Sequence, residues 1–421
     1  MNILGINISH HTSSCLMKDG KIIYFLEEER ISRIKNHTIS FSDLSFYGID
    51  ILKSHVKNID YLIFSSFGRD GRCYVDQQVL KSWFDIINNF DHKLFSNLFL
   101  ENNLPNFNDS DSEHDYVIIH SIMKQIESNN IKVKNIIFDD NQHHLYHSYS
   151  AFYSSGFNEA SCLIMDGGGS FFMEDYQELG FKFPFREKES MYFCSKNADN
   201  VENLYTHYSQ NFSRHLDFEF IVKQKIQNWE KIFSHSMSCG DLFNFVTCKL
   251  LGLNSGDDSG KTMGLSSYFK NDFPSDLKDE WFYEKDDVIL SNPKLFEYLY
   301  SLTHYEFNLS HNNMYDSSMI AKKLQIETQN YTIKLIERLL EKTKTKNLVL
   351  SGGYFLNCVN NYEYRKILPR DINIFVDPIP HDAGTALGSV YHFYKKVTGK
   401  NPKPIDHLFL GPKQIKIKIN M

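Results

Sequence analysis

The sequence predicts an α/β protein built twice on one theme, and three observations carry that prediction. Apolar, strand-like runs alternate with helical patterns along the chain. A strand, a polar or Gly-rich turn and a second strand open the chain at Asn2–Met17, and the same order recurs from Ala160. Strand and helix then alternate in each half, as in sheets with parallel strands. At 421 residues, 42% of them hydrophobic and with 34 Phe and 24 Tyr, the chain can bury the cores of two to three domains.

In order, Asn2–Ile8 is an apolar strand that ends in the polar turn Ser9-His10-His11-Thr12-Ser13. Ser14–Met17 is a second strand, Lys18-Asp19-Gly20 a hairpin turn and Lys21–Leu26 a third strand. The charged run Glu27–Lys35 starts a helix or loop, and Tyr61–Phe64 is the next strand. Residues 67–112 are irregular, with an aromatic helix candidate at Val79–Phe99. Val133–Phe138 feeds a helix beginning with three histidines, placed for capping by Asp139 and Asp140. Ala160–Met165 is a strand closed by Asp166-Gly167-Gly168-Gly169-Ser170. Residues 171–236 carry few clear signals, apart from a helix expected near Phe218–Phe233. Asp241–Leu251 is helical by pattern, Gly256–Gly264 a loop and Ser317–Lys342 a long amphipathic helix. Asn347–Ser351 is a strand meeting Gly352-Gly353 and a helix, and Ile372–Val376 is another strand. A small-residue helix runs from Pro380-His381-Asp382 to about Tyr394, and Lys400–Met421 is a polar linker.

This order divides into a first half at 1–158, a second half at 159–399 with an insertion at 171–236, and a linker at 400–421. Two such halves facing each other give the duplicated actin-like ATPase (ASKHA) fold of actin, sugar kinases and heat-shock ATPases. Its nucleotide- and metal-binding cleft is central, with ligands at the turns.

Composition narrows the function. A formal charge of −7 argues against a protein whose main affinity is for a nucleic-acid backbone. The seven cysteines are scattered without a CxxC pair, which excludes a zinc ribbon and a disulfide framework and points to a reducing compartment. The first residues lack a basic signal region and no apolar run reaches spanning length, so a soluble, cytoplasmic protein is expected.

The most informative motif is His143-His144-Leu145-Tyr146-His147. Residues four apart share one helix face, so His143 and His147 can reach one ion. By itself such a pair is more often chance, since the chain has 18 histidines. Asp166 with Gly167 and Gly168 adds a carboxylate beside a phosphate-sized turn, although most Gly-rich turns are only turns. Gly352 and Gly353 allow a flat base or ribose to approach the backbone, and Asn357 can bond to it; close strand–helix packing is the plain alternative. Asp382 is either a helix N-cap or a further metal ligand. Such a His/carboxylate set suits Fe(II), Zn or Mn. His10 and His11 are surface turn residues or supply a general base. Glu28-Glu29-Arg30, Arg33 and Lys35 form a solvated face or a source of cations for phosphate. Gly260-Lys261-Thr262 is no P-loop, because Ser255 stands where that motif needs glycine and no strand leads in.

Six blocks in order resemble the NodU/CmcH-type O-carbamoyltransferase family. They are Leu4-Gly-Ile6 with His10-His11-Thr12-Ser13, Glu28–Arg33 with Lys35, His143–His147, Asp166-Gly167, Gly260–Leu265, and Gly352-Gly353 through Leu356-Asn357-Cys358 to Asp382-Ala383-Gly384. The resemblance runs from residue 2 to about 411. It implies a domain similar to the tRNA threonylcarbamoyl-transferase catalytic subunit. It also implies an iron-type divalent metal, Fe(II) by family, on His143, His147, Asp166 and Asp382. ATP enters as carbamoyl-adenylate made from carbamoyl phosphate, on Gly167, Gly168, Gly352, Gly353 and Asn357, while His10 and Lys35 line the transfer site. The acceptor is a hydroxyl of a small molecule or glycan. Family members continue past a Leu-Gly-Pro element, here Leu410-Gly411-Pro412, into a YrdC-like domain where the adenylate forms. The expectation is therefore a truncated linker and a separate YrdC-like polypeptide as partner, with a catalytically incomplete nucleotide-binding subunit as the alternative. Two turn residues, His11 and Thr12, depart from the family pattern, and 171–236 looks long; that stretch is assigned to acceptor choice or partner contact.

Overall fold

A computed structural model describes the chain except residues 40–43, 67–109, 139–141, 177–180, 211–220, 255–257, 293–294, 296–297, 300, 303–313 and 412–421. The helix candidate at Val79–Phe99 and the capping residues Asp139 and Asp140 lie outside the described residues. The chain forms two compact units, Met1–Tyr153 with Asp382–Met421, and Ser154–His381.

The first unit is built on strands β1 (Asn2–Asn7), β2 (Ser13–Lys18), β3 (Lys21–Glu27), β4 (Asn58–Ser66) and β5 (Lys132–Phe138), in the order β3-β2-β1-β4-β5. β1, β2 and β3 are antiparallel neighbours, whereas β4 and β5 run parallel to β1. The β2–β3 turn is the expected Asp-Gly hairpin, with Asp19 at φ 50° and Gly20 at φ 79°, the signs a two-residue turn needs to match strand twist. Helices α1 (Glu29–Ser32), α2 (Tyr47–Leu52), α3 (Ser110–Ser128) and α4 (His143–Ser155) follow the strands. Leu4, Ile6 and Leu16 share a buried core with Ile49, Leu52, Phe64, Ile122 and Ile126. Backbone bonds from Lys403 to Gly20 and from Phe25 to Leu410 lay the tail along β3.

The second unit holds β6 (Glu159–Met165), β7 (Phe171–Tyr176), β8 (Phe181–Ser195), β9 (Glu202–Gln210), β10 (Ile221–Ile226) and β11 (Trp229–Ser234). Then come α5 (Cys239–Phe245) running into a π-turn at Val246–Leu250, α6 (Ser259–Leu265), the hairpin β12 (Phe282–Lys285) and β13 (Val288–Ser291), and α7 (Tyr315–Thr343). β14 (Asn347–Ser351), α8 (Cys358–Ile367) and β15 (Asn373–Val376) complete it. Its sheet runs β10-β11-β9-β8-β6-β14-β15. β6, β8 and β9 are antiparallel neighbours and β14 and β15 are parallel to β6. Counted within the unit, β6, β8, β9, β14 and β15 repeat the 3-2-1-4-5 order of the first unit. That repeat is the duplicated actin-like ATPase fold.

Four expectations change. From Ile221 onward, the helix expected near Phe218–Phe233 is instead the β10–β11 hairpin, turning at Gln227 with φ 56°; its polar run Lys223-Gln224-Lys225 offers no apolar helical stripe. The stretch 171–236 is not simply an insertion, because it contains β8 and β9, the second and third strands of the repeat. The loop expected at Gly256–Gly264 contains α6, where exposed Lys261 pairs with Asp258 at 2.7 Å. Finally, α9 (Ala383–Thr398), assigned by chain order to the second half, packs on β1, β2 and β4 of the first unit. The reason is steric fit: a Cβ at Gly388 would stand 1.8 Å from the Tyr146 carbonyl oxygen, so α9 meets α4 backbone to backbone.

Candidate functional site

The first turn is set by Asn7 at the end of β1. Its Oδ1 accepts from the Ser9 amide (3.0 Å) and its Nδ2 donates to the His11 carbonyl (3.1 Å). His11 takes φ 64°, and Thr12 Oγ1 donates back to the Ser9 carbonyl at 3.2 Å. Burial, then the neighbouring His10, hold the His11 imidazole below its ordinary pKa. His10 remains 53% exposed at its side chain, with Nδ1 3.2 Å from Asp382 Oδ2.

Asp382 precedes α9 but makes no capping bond with its side chain, so the N-cap alternative does not hold. Its carboxylate turns instead toward the imidazoles. Oδ2 faces His10 and the Ser9 hydroxyl (2.8 Å), and Oδ1 faces His143 Nε2 (3.6 Å). One turn of α4 brings His143 Nε2 and His147 Nε2 to 3.1 Å. Ligand atoms of His143, His147 and Asp382 all lie within 4.8 Å of one another, and all three residues are buried.

These residues fit a divalent ion. Two nitrogens each roughly 2.1 Å from one ion stand about 3.0 Å apart at a right angle and about 3.4 Å apart at the tetrahedral angle. The observed 3.1 Å falls between. Two imidazoles and a carboxylate form a borderline donor set with positions to spare.

In the second unit, Asp166 ends β6 and its Oδ1 accepts from the Gly167 amide at 2.7 Å. Gly169 donates to the Glu187 carbonyl (2.9 Å) and Ser170 to the Glu187 carboxylate (3.0 Å). Three amides of the Gly-rich turn are therefore committed to protein acceptors, which makes the turn less of an open phosphate cradle than its glycines suggest. The Arg186 side chain lies against Gly168, where a Cβ would stand 2.9 Å from its Cδ. Ser238 holds the turn from below, donating to the Gly167 carbonyl at 2.8 Å while capping α5. Gly352 has φ 98°, and a Cβ there would stand 2.0 Å from the Met165 carbonyl oxygen, so only glycine fits. At Gly353 a Cβ would stand 3.0 Å from Asp166 Oδ1, which places the two glycines beside the Asp166 turn.

Two expected residues stand differently. Asn357 caps α8, accepting from Asn360 N at 3.1 Å, and exchanges amide bonds with Gln325 at 2.8 and 3.1 Å. Its plain packing role is thus visible. Lys35 is exposed beyond α1, where Arg33 and Asn36 both adopt positive φ. Within the charge run, Glu28 is no solvated residue. It is fully buried, and its carboxylate accepts from the first amides of α2, Tyr47 (2.7 Å) and Gly48 (2.9 Å).

Sequence reasoning missed Asn7, Ser9, Arg186 and Glu187. Ser9 adjoins His10 and carried a signal by position; Arg186 and Glu187 reach the turn only through β-sheet register. It also missed a fully buried polar group in the second unit. Lys188 donates to Ser236 Oγ (3.0 Å), and Glu189 binds the Tyr331 hydroxyl (2.5 Å) and His207 Nδ1 (2.8 Å). Burial pushes Lys188 and His207 below their ordinary pKa values; burial opposes ionisation of Glu189, but these two neighbours more than offset it and hold the carboxyl low.

A duplicated actin-like protein with a His-His-carboxylate group in its first unit is the class these features define. Residues 2–391 match the family described as carbamoyltransferase N-terminus, and the chain belongs to it. It is 26% identical over 441 residues to the uncharacterized protein sll1178 of Synechocystis sp., covering 98% of this chain and 61% of that one. It is 25% identical over 421 residues to nodulation protein NolNO of Sinorhizobium fredii, covering 96% and 49%. The chain thus spans about half to three-fifths of the length of these relatives. Among solved structures it is similar to T.kodakarensis HypF, with a TM-score of 0.49 and 12% identity over 94% of this chain and 48% of that one. Among the described residues no helix is long and apolar enough to cross a membrane.

Proposed function

We propose that the chain is the transfer half of a metal- and ATP-dependent O-carbamoyltransferase, moving a carbamoyl group from carbamoyl-adenylate to a hydroxyl of a small molecule or glycan. The observation that carries this reading is the two-sided Asp382 carboxylate, with the His143 imidazole of α4 on one oxygen and His10 on the other, inside a carbamoyltransferase-family sequence. His143, His147 and Asp382 would hold the ion; Fe(II) is the metal we expect. The ion would supply positive charge for the phosphate of the mixed anhydride.

This chain's own residues do the rest. Asp382 favours the His10 tautomer with its proton on Nδ1, which leaves Nε2 as the acceptor. The exposed ring is then able to take the proton of the acceptor hydroxyl as its oxygen attacks the carbamoyl carbon and AMP departs. Lys35 offers a cation for charge developing on the carbonyl or phosphate. Gly352 and Gly353, packed beside the Asp166 turn, would offer the nucleotide a backbone surface, and Gly167, Gly168 and Arg186 would lie nearest its phosphate. Asn357 stands behind these turns as the cap of α8, bonded to Gln325.

The test supplies what a YrdC-like polypeptide would make. The chain is incubated with ATP, radiolabelled carbamoyl phosphate, a separately produced YrdC-like domain and a panel of hydroxyl acceptors. Label in an acceptor, lost in His10→Ala and Lys35→Ala, supports the reading. ATP and metal binding without any transfer would leave the incomplete nucleotide-binding subunit as the better description.

A further inference from the structure

Ser9 takes no part in the proposed transfer, yet it is buried against the site. Its hydroxyl lies 2.7 Å from Asn7 Oδ1, 2.8 Å from Asp382 Oδ2 and 3.1 Å from the His10 carbonyl oxygen. The orientation of the Asn7 amide is fixed by its other bonds, since Oδ1 accepts the Ser9 amide and Nδ2 donates to the His11 carbonyl. All three neighbours of the hydroxyl are therefore acceptors, and its single proton serves one at a time. An ionised carboxylate is the strongest acceptor of the three.

We infer that Ser9 is a positioning residue for the metal centre, and that the Asn7–Ser9 pair fixes which oxygen of Asp382 is presented to the ion. Ser9 and His10 engage Oδ2, so Oδ1 is the oxygen directed at His143, at 3.6 Å. Ser9 itself is held by its amide bond to Asn7, and Asn7 belongs to β1 at the centre of the first sheet. The rigid strand thus reaches the ligand through one side chain and one hydroxyl. Removing such a partner typically costs a metal site 10–100-fold in affinity.

The inference rests on the metal reading proposed above, and the experiment separates the two. Purified full-length chain is titrated with Co(II) and with Fe(II) under anaerobic conditions, following chelator competition and the visible Co(II) bands. Ser9→Ala is expected to weaken binding by about 10–100-fold and to alter the Co(II) bands, while the metal-free urea midpoint stays close to that of the parent. Ser9→Thr, which keeps the hydroxyl, is expected to restore most of the affinity and the parental bands. His143→Ala is the control for the site. If His143→Ala binds as the parent does, the metal reading fails and takes this inference with it. If His143→Ala abolishes binding but Ser9→Ala stays within twofold with unchanged bands, the metal reading stands and the role given to Ser9 is wrong. Should Ser9→Ala unfold, Asn7→Ala takes its place with the same expectations, since it leaves the hydroxyl but removes its anchor.

Discussion

Replacing Gly388 by alanine ties the packing of the first unit to its metal centre. The new Cβ would stand 1.8 Å from the Tyr146 carbonyl oxygen, 2.5 Å from its carbon and 2.9 Å from the Tyr146 Cα. All three are backbone atoms of α4, so no side-chain rotation relieves them. Against a 3.0 Å limit the first contact falls short by 1.2 Å, and α9 and α4 must part by about that much. Overpacking of this kind costs about 1–3 kcal/mol, and a backbone-to-backbone clash belongs at the upper end. Asp382 leads into α9 while His143 and His147 sit on α4, so the same displacement opens the 3.6 Å approach of Asp382 to His143. Ligand geometry tolerates roughly 0.2 Å. Gly388→Ala should therefore lower urea stability by about 3 kcal/mol and metal affinity by at least about tenfold. Gly264→Ala is the control: nothing lies within 4 Å of its Cβ position in α6, and a helical alanine should be neutral or stabilise by about 0.5–1 kcal/mol. A Gly388→Ala protein matching its parent in both stability and metal affinity would refute the helix contact on which this reasoning depends.

Three further outcomes are expected. Glu28→Ala removes two charge-assisted bonds at the start of α2 from a fully buried site, and should cost about 3 kcal/mol in urea unfolding; a loss under 1 kcal/mol would return Glu28 to the solvated charge run. Asn357→Ala should destabilise by about 2 kcal/mol through the lost cap and the donor lost to Gln325 Oε1, with ATP affinity changing less than threefold. A large loss of ATP affinity at unchanged stability would instead make Asn357 a nucleotide ligand. His392, pressed against Tyr146 and Tyr149, is held by burial, and secondarily by Lys396, at a pKa of about 4. The unfolded chain takes up this proton first, near pH 6.5, so stability falls as pH drops from 6.5 toward 4, by about 3 kcal/mol in all. His392→Phe should flatten that part of the acid slope relative to the parent between pH 7 and pH 4.5; parallel slopes would count against the assignment.

The parts legible in the sequence are those set by neighbours in the chain. The β2–β3 hairpin follows from Asp19-Gly20, because two positive φ values in succession select those residues. His143 and His147 share a face because four residues make about one helical turn. The long α7 was legible from its apolar stripe, and β6 and β14 from short apolar runs ending in glycine turns. The β10–β11 hairpin was not legible, because its stability comes from β11 pairing with β9 rather than from its own residues.

Chemistry-bearing residue types and the repeated strand theme were thus determined by the sequence alone, since both depend on local geometry and order. What only the tertiary structure decided is which of those residues meet. Chain order assigns α9 to the second half, yet Gly388 lets it lie against α4 in the first, and this brings Asp382 to His143 across 238 intervening positions. The same placement turns Asp382 away from the helix-capping role its position suggests and joins Ser9 to it, while the start of α2 engages Glu28 within a run that reads as surface. Each depends on contacts between segments far apart in the chain, where close packing, not local propensity, selects the side-chain direction.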